Sequence, residues 1–227
     1  MKRLICLLLC GLTLLSLTGC GAPKTETLDI FAMDTYMSLV AIGDGASDVL
    51  QACSNEINTL EQRLSRTIET SSVAQLNANG SAQLDDDTAA LLQAALQYSA
   101  ETGGTFDVTI APLVELWGIT GDAPRVPAQS EIDALLPLVG SEHVHLEGTA
   151  AALDEGCAID LGGIAKGYAS DKTAELFAGS GIFGGFVSLG GNVYVHGVTA
   201  EGQPWNVAIQ DPRNTEAYAC TLRLSDA

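Results

Sequence analysis

Residues 158–176 read AIDLGGIAKGYASDKTAEL and place an acid, three glycines and a lysine within eight positions. We expect a strand to end at Asp160 and a helix to begin near Ile164, with the glycines between them. Amides at a helix start favour an anion such as phosphate, and glycine lets a ligand approach the backbone closely. Lys166 adds a positive charge on the first turn. The pattern therefore predicts a phosphate site or, equally well, a tight turn in which Gly167 only lets the helix pack on a sheet.

The first 19 residues have the features of a bacterial signal peptide. Lys2 and Arg3 precede an uncharged apolar run over residues 4–18, which is short for a membrane span. The run ends in Leu-Thr-Gly-Cys, which resembles the lipobox of bacterial lipoproteins and predicts lipidation at Cys20. A plain secretory signal that happens to end in cysteine is the alternative. We expect an exported protein that is anchored to the cell membrane by Cys20, with residues 20–27 as a tether.

The charge balance excludes one class of partner. The chain has 28 acidic and 10 basic side chains, a net charge of −18. Such a surface repels nucleic acid and anionic lipid head groups. The roughly 200 residues after the signal peptide suffice for one domain with a sizeable core. The three cysteines that follow Cys20 allow at most one internal disulfide.

The periodicity of the mature chain predicts an α+β fold, a mixed sheet with packed helices, because strands and helices do not alternate regularly. Residues 28–43 are expected to form a strand and 67–84 a polar connection, and residues 143–163 alternate like a hairpin that leads into the segment around Asp160. Further strands are expected over 185–197, 205–213 and 220–224. Apolar spacing predicts helices over 46–66, 85–104, 131–139 and 164–178. We expect the N-cap of the second helix near Asp87 or Thr88, and we interpret the acids at 85–87 as a complement to the helix dipole and a cap rather than as a metal site.

Several separated motifs agree in order with the ApbE family of exported FAD:protein FMN transferases, which this sequence resembles over essentially its whole mature length. The motifs are Met33-Asp34-Thr35, Thr105–Thr109 with Pro112-Leu113 and Leu116–Gly118, Asp160–Tyr168, Gly190–Asn192, and Trp205–Ile209 with Asp211–Arg213. The resemblance predicts that residues 28–227 form one flavin transferase domain.

The resemblance implies a specific reaction. Members of the family bind FAD with Mg²⁺ and transfer its FMN half to a threonine hydroxyl of an exported partner protein, which releases AMP. The positions that the family places against FAD are Met33, Thr105, Phe106, Asp107, Asp160 and Lys166. The backbone oxygen at Gly163 is implied as a metal ligand, and carbonyl, carboxylate and phosphate oxygens suit Mg²⁺.

Two departures from the family pattern limit these expectations. Family members usually extend beyond the position of Ala227, and the remaining metal ligands lie in that part, so we expect a C-terminally incomplete domain. Thr67 stands where many relatives have a tyrosine over the flavin. A metal-dependent FAD pyrophosphatase, a non-catalytic flavin-binding lipoprotein and a structural lipoprotein stay as alternatives.

Overall fold

The computed structural model describes residues 23–119, 121 and 123–227. The predicted signal peptide and Cys20 lie outside the described residues. The strands are β1 (Thr25–Ala32), β2 (Thr35–Ile42), β3 (Ser81–Gln83), β4 (Val144–Glu147), β5 (Ala150–Leu153), β6 (Gly184–Leu189), β7 (Asn192–Gly197), β8 (Trp205–Asp211) and β9 (Asn214–Leu224). The helices are α1 (Ala46–Leu64), α2 (Ser72–Asn79), α3 (Asp86–Glu101), α4 (Ala111–Trp117), α5 (Gln129–Leu135) and α6 (Gly162–Ser180). The expected α+β class is confirmed.

The main sheet is antiparallel with the order β1-β2-β6-β7. The expectation of one strand over 28–43 is wrong, because a two-residue turn at Met33-Asp34 divides it into β1 and β2. Met37 of β2 lies opposite Leu189 of β6. The β1–β2 turn and the β6–β7 turn at Gly190-Gly191 therefore lie side by side at the same end of the sheet.

Helices α1 and α6 pack together, and α1 also lies against β1 and β2. The apolar face expected for α1 is buried, namely Val49, Leu50, Cys53, Ile57, Leu60 and Leu64. Phe177 of α6 is fully buried and is among the largest side chains of the core. The core thus fixes the C-terminal end of α1 relative to α6.

Smaller elements complete the fold. Strands β3, β5 and β4 form a second sheet, and β8 pairs with β9. The expected hairpin is present as β4 and β5, but the expectation of a strand that ends at Asp160 is wrong, because β5 ends at Leu153 and residues 157–161 are irregular. The polar connection expected over 67–84 is wrong, since it contains α2 and β3. Ser71 begins α2 by accepting a hydrogen bond from the Ala74 amide at 2.9 Å. Val73 and Leu76 bury the inner face of this helix.

The acids at the start of α3 divide into a cap and an ion-pair partner. Asp85, not Asp87, is the N-cap and accepts from the Thr88 amide at 3.0 Å. Asp87 instead accepts hydrogen bonds from Arg63 Nη1 at 2.8 Å and from the Tyr168 hydroxyl at 2.7 Å. This carboxylate therefore joins α3 to α1 and α6.

The described part of the chain contains neither a disulfide nor a helix that could span a membrane. Cys53, Cys157 and Cys220 are free thiols. Burial raises the pKa of the Cys53 thiol to about 12, so the thiol stays protonated and unreactive. No helix among the described residues is long and apolar enough to cross a membrane.

Candidate functional site

A cleft of about 450 Å³ opens where the two turns of the main sheet meet α6 and the segment that follows α1. Its size is in the usual range for a small-molecule site. Its walls contain Met33, Asp34, Thr35, Glu61, Leu64, Ser65, Arg66, Thr67, Ile68, Asp160, Gly162, Ala165, Lys166 and Gly190.

The β1–β2 turn enters the cleft in an unusual backbone conformation. Met33 and Asp34 have φ angles of 49° and 57°, a left-handed region that residues other than glycine seldom adopt. The Met33 amide donates to Glu61 Oε1 at 2.7 Å, which ties the tip of the turn to α1. Strain of this kind persists only where surrounding contacts impose it, and it is concentrated at functional sites.

The β6–β7 turn lies beside it and requires glycine. Gly190 has a φ of 61°, and a Cβ atom there would lie 2.5 Å from Thr35 Oγ1. Next in the chain, Asn192 Nδ2 donates to Ser170 Oγ at 2.8 Å and to the Lys166 carbonyl at 3.3 Å. The turn therefore holds the second turn of α6, and with it Lys166, against the end of the sheet.

Asp160 forms the opposite wall and is held from several directions. Its Oδ1 accepts the Gly162 amide at 2.7 Å, and its Oδ2 lies 2.9 Å from Arg66 Nε. Its own amide donates to the Val108 carbonyl at 2.7 Å. The side chain is 20% exposed. The carboxylate is therefore ionically paired and oriented at the edge of the cleft.

The backbone before Asp160 is fixed by a side chain that imitates a strand. Asn77 Oδ1 accepts the Ile159 amide and Asn77 Nδ2 donates to the Ile159 carbonyl, both at 2.8 Å. Ile159 itself is completely buried. This pair of bonds satisfies both backbone groups of a residue in an irregular segment, as buried backbone requires.

The start of α6 offers fewer free amides than the sequence predicts. The Gly162 amide bonds to Asp160, and the amides of Ile164 and Ala165 bond to the Leu161 carbonyl at 3.0 and 2.8 Å. Within the described chain, the Gly163 amide is the first-turn donor left for an anion. The dipole of a 19-residue helix still favours negative charge at this end.

The segment Thr105–Asp107 lies next to the same helix start but does not line the cleft. The Phe106 ring packs beside Gly163, where a Cβ atom would lie 3.2 Å from Phe106 Cε2. The Thr105 hydroxyl donates to the Thr102 carbonyl at 3.0 Å, and Asp107 caps the 3-10 turn 108–110. Their predicted contact with FAD stays a prediction, whereas Met33, Asp160 and Lys166 lie together in the cleft.

The residues around Gly163 do not fit a metal site by themselves. Among the described residues, no group of three or more His, Cys, Asp or Glu side chains could hold a metal ion. In a regular α-helix the Gly163 carbonyl also accepts from the amide four residues on. Its predicted role as a metal ligand stays a prediction.

The three histidines lie away from the cleft. His143 Nδ1 and His145 Nε2 contact the two oxygens of Asp154 at 2.9 and 2.8 Å. His196 Nδ1 lies 3.3 Å from Asp226. None of the three lines the cleft.

Sequence reasoning missed the contributions of Glu61, Arg66 and Asn77. Each acts on a residue at least 28 positions away in the chain, so no local pattern points to it. Glu61 lies in α1, and Arg66 lies two residues after the end of that helix.

Comparison with known proteins gives one consistent result. The family model described as "ApbE family" matches residues 33–227. A Salmonella typhimurium protein named FAD:protein FMN transferase is 30% identical, over 95% of this chain and 68% of its own length. A Vibrio cholerae protein of the same name is 29% identical, over 88% of this chain and 63% of its own.

Solved structures agree in fold. The crystal structure of the ApbE protein of Thermotoga maritima matches with a TM-score of 0.84 and 30% identity, over 89% of this chain and 68% of that one. The apo flavinyl transferase ApbE of Pseudomonas stutzeri matches with a TM-score of 0.80 and 25% identity, over 92% and 69%. The chain thus spans about two thirds of the length of the relatives and structures it matches.

Proposed function

The chain belongs to the ApbE family, and we propose that it is an FAD:protein FMN transferase. The reaction moves the FMN half of FAD onto a threonine hydroxyl of an exported partner protein. One observation carries the proposal. Met33, Asp160 and Lys166, which the family resemblance predicts to touch FAD, come from two separate parts of the chain, the β1–β2 turn and the start of α6, and line one cleft.

The proposed chemistry is a single phosphoryl transfer. The threonine oxygen forms a bond to the phosphorus on the FMN side of the pyrophosphate, the bridging P–O bond breaks, and AMP leaves. The hydroxyl proton is released. Such reactions depend mainly on positioning and on electrostatic stabilisation of the phosphate oxygens.

The cleft offers suitable groups for holding a pyrophosphate. Lys166 supplies a positive charge in the wall, and the Gly163 amide lies at the positive end of the α6 dipole. Asp160 is fixed by Gly162 and Arg66 and offers an oriented acceptor to a hydroxyl or amine of the ligand. In a chain with a net charge of −18, these local groups give an anion its binding site.

We include Mg²⁺ dependence in the proposal on the strength of the family resemblance. The described residues supply no complete ligand set for the ion. Titration of MgCl₂ into protein that was treated with a chelator tests this part directly. The proposal predicts that transfer stops without the ion and returns on its addition.

Export and anchoring through Cys20 form a further part of the proposal, supported by the charged start, the apolar run and the lipobox of the sequence. Two acyl chains attach a protein stably, at roughly 0.8 kcal/mol for each buried methylene. Replacement of Cys20 by serine is expected to move the protein from the membrane fraction to the soluble fraction. Retention in the membrane fraction would contradict the anchor.

The test of the transfer reaction uses the purified protein, FAD, MgCl₂ and a flavin-acceptor protein, with an acceptor in which the target threonine is valine as the control. The proposal predicts a fluorescent acceptor band on a denaturing gel and one AMP for each flavin attached. AMP with free FMN and no labelled acceptor would establish the pyrophosphatase instead. FAD binding without AMP would establish a non-catalytic flavin-binding protein.

A further inference from the structure

Arg66 and Asp160 form an ion pair across the cleft wall. Arg66 Nε lies 2.9 Å from Asp160 Oδ2, and the two side chains are 13% and 20% exposed. Among the ion pairs of the described residues, this is the one with the least exposed partners. Arg63–Asp87, by contrast, is 39% and 32% exposed. Screening by water makes exposed pairs weak, so the Arg66–Asp160 contact is the stronger constraint on geometry.

The two contacts to the Asp160 carboxylate fix its orientation. The Gly162 amide, two residues later in the chain, donates a hydrogen bond to Oδ1, and Arg66 Nε, in the segment after α1, contacts Oδ2. With only the amide contact, the carboxylate could rotate about χ1 and χ2 and still keep one bond. The second donor, Arg66 Nε, removes that freedom. Because it belongs to a side chain and not to the backbone, a substitution can remove it.

Arginine suits this position better than lysine. The Nε–H group of a guanidinium points in a direction set by its plane, whereas an ammonium is a point charge on a flexible stem. Arg66 Nη1 also lies 3.6 Å from Glu115 of α4, whose side chain is 73% exposed. The guanidinium is thus held between two acids, of which only Asp160 lines the cleft.

We propose that Arg66 is a positioning residue for FAD binding, which acts by holding the Asp160 carboxylate in the orientation that the ligand requires. The inference rests on the proposed function, since FAD is the ligand. It adds to that function a residue whose role is expressed through Asp160 and not through its own positive charge.

The test is a double-mutant cycle read by FAD affinity. Wild type, Arg66→Gln, Asp160→Asn and the double variant are titrated with FAD by isothermal calorimetry, and their thermal midpoints are recorded. We expect Arg66→Gln to weaken FAD binding by about tenfold, Arg66→Lys by less, and the double variant by no more than Asp160→Asn alone. Residues that act through each other are non-additive in this way.

Arg63→Gln is the matched control. It removes the same charge three residues earlier, in the last turn of α1, and breaks the pair with Asp87 outside the cleft. We expect it to lower the thermal midpoint while the FAD affinity stays within about twofold of wild type. This control separates a general loss of stability from a loss of positioning. If Arg66→Gln does not fold, the cycle is run with Arg66→Lys, which keeps the charge.

The outcomes are distinct. Unchanged FAD affinity in the Arg66 variant would overturn the inference and leave the proposed function intact. Additive losses in the double variant would also overturn it, because Arg66 would then act on FAD independently of Asp160. Failure of the wild-type protein to bind FAD would contradict the proposed function, and the inference would fall with it.

Discussion

Asp107 and Asp160 share a local motif but lie in different surroundings. Each accepts a hydrogen bond from the amide two residues later, at 2.8 Å from Thr109 and at 2.7 Å from Gly162. The remaining partners of Asp107 are the hydroxyls of Thr109 and Ser99, at 2.6 and 3.1 Å. The remaining partner of Asp160 is Arg66, in the wall of the cleft.

The comparison shows that one local motif occurs in two different environments. The two segments touch, since the Asp160 amide donates to the Val108 carbonyl, but only Asp160 lines the cleft. Asp107 accepts hydrogen bonds from the hydroxyls of two buried residues, Ser99 and Thr109, and these bonds stabilise its own turn. We therefore expect changes at Asp107 to act mainly on stability and changes around Asp160 to act mainly on FAD binding.

The largest expected effect comes from Asp107→Ala. It removes a cap and the acceptor of two hydroxyls, and both Ser99 and Thr109 are buried. Loss of a cap costs about 1 kcal/mol, and each of the two buried hydroxyls left without an acceptor costs about 1–3 kcal/mol, so we expect a loss of at least about 3 kcal/mol. Urea denaturation measures it. Asp171→Ala, an exposed acid within α6, is the control and should change little. A stability like that of wild type would remove the distinction between the two acids.

Glu61→Ala tests the tip of the β1–β2 turn. The Met33 amide then loses its acceptor while the strained φ angles remain to be held. A hydrogen bond to a charged acceptor contributes about 1.5–3 kcal/mol, so we expect a loss near the lower end of that range. Glu61→Gln keeps an acceptor oxygen and should lose less. Equal losses in both variants would mean that the charge of Glu61, not its bond to Met33, matters.

Lys166→Met tests the cleft side of the comparison between Asp107 and Asp160, because Lys166 lines the same cleft as Asp160. It removes a positive charge beside Asp160 and keeps most of the apolar stem. We expect FAD affinity to fall about tenfold, or about 1.4 kcal/mol, with little change in unfolding free energy. Lys172→Met is the matched control, since Lys172 lies on the same helix but pairs with Asp87 at 3.4 Å outside the cleft. If both lysine variants weaken FAD equally, the effect reflects net charge and not the cleft.

The smallest effect concerns Asp154, a surface carboxylate that binds two histidines. The hydrogen bond to Asp154, followed by the charges of Asp154 and Glu142, raises the pKa of His143 above its usual 6.5. The stabilisation is therefore complete below about pH 6.5 and is lost as the pH rises through the folded-state pKa. The same contacts, that with His143 first, lower the pKa of Asp154 below 3.8, so stability is also lost in strong acid.

His143→Gln should accordingly lower the thermal midpoint more at pH 6 than at pH 8, with FAD affinity unchanged. Thermal unfolding of both proteins at the two pH values checks this prediction. If the difference in thermal midpoint between wild type and His143→Gln is larger at pH 8 than at pH 6, the prediction is contradicted.

The sequence predicts those features that depend on local periodicity. Helix α1 was expected over 46–66 and is found over 46–64, because six apolar residues repeat along one face. The turn at Met33-Asp34 was missed, since methionine is not a usual choice for positive φ and no glycine marks the pair. Helix α2 was missed because it has only two buried side chains among polar residues, too few to show a period.

The candidate site was predictable in part. The resemblance identified Met33, Asp160 and Lys166, which the fold brings together. The contacts that position them were not predictable, because Arg66 meets Asp160 across 94 positions and Asn77 meets Ile159 across 82. Such pairs depend on tertiary packing and leave no mark on the neighbouring sequence.

A crystal structure of the protein with FAD tests the central claim most directly. The account predicts FAD in the cleft between the β1–β2 turn and the start of α6, in contact with Met33, Asp160 and Lys166. The Arg66–Asp160 pair should stay intact beside the ligand. FAD bound elsewhere on the chain, or an empty cleft at saturating FAD, would contradict it.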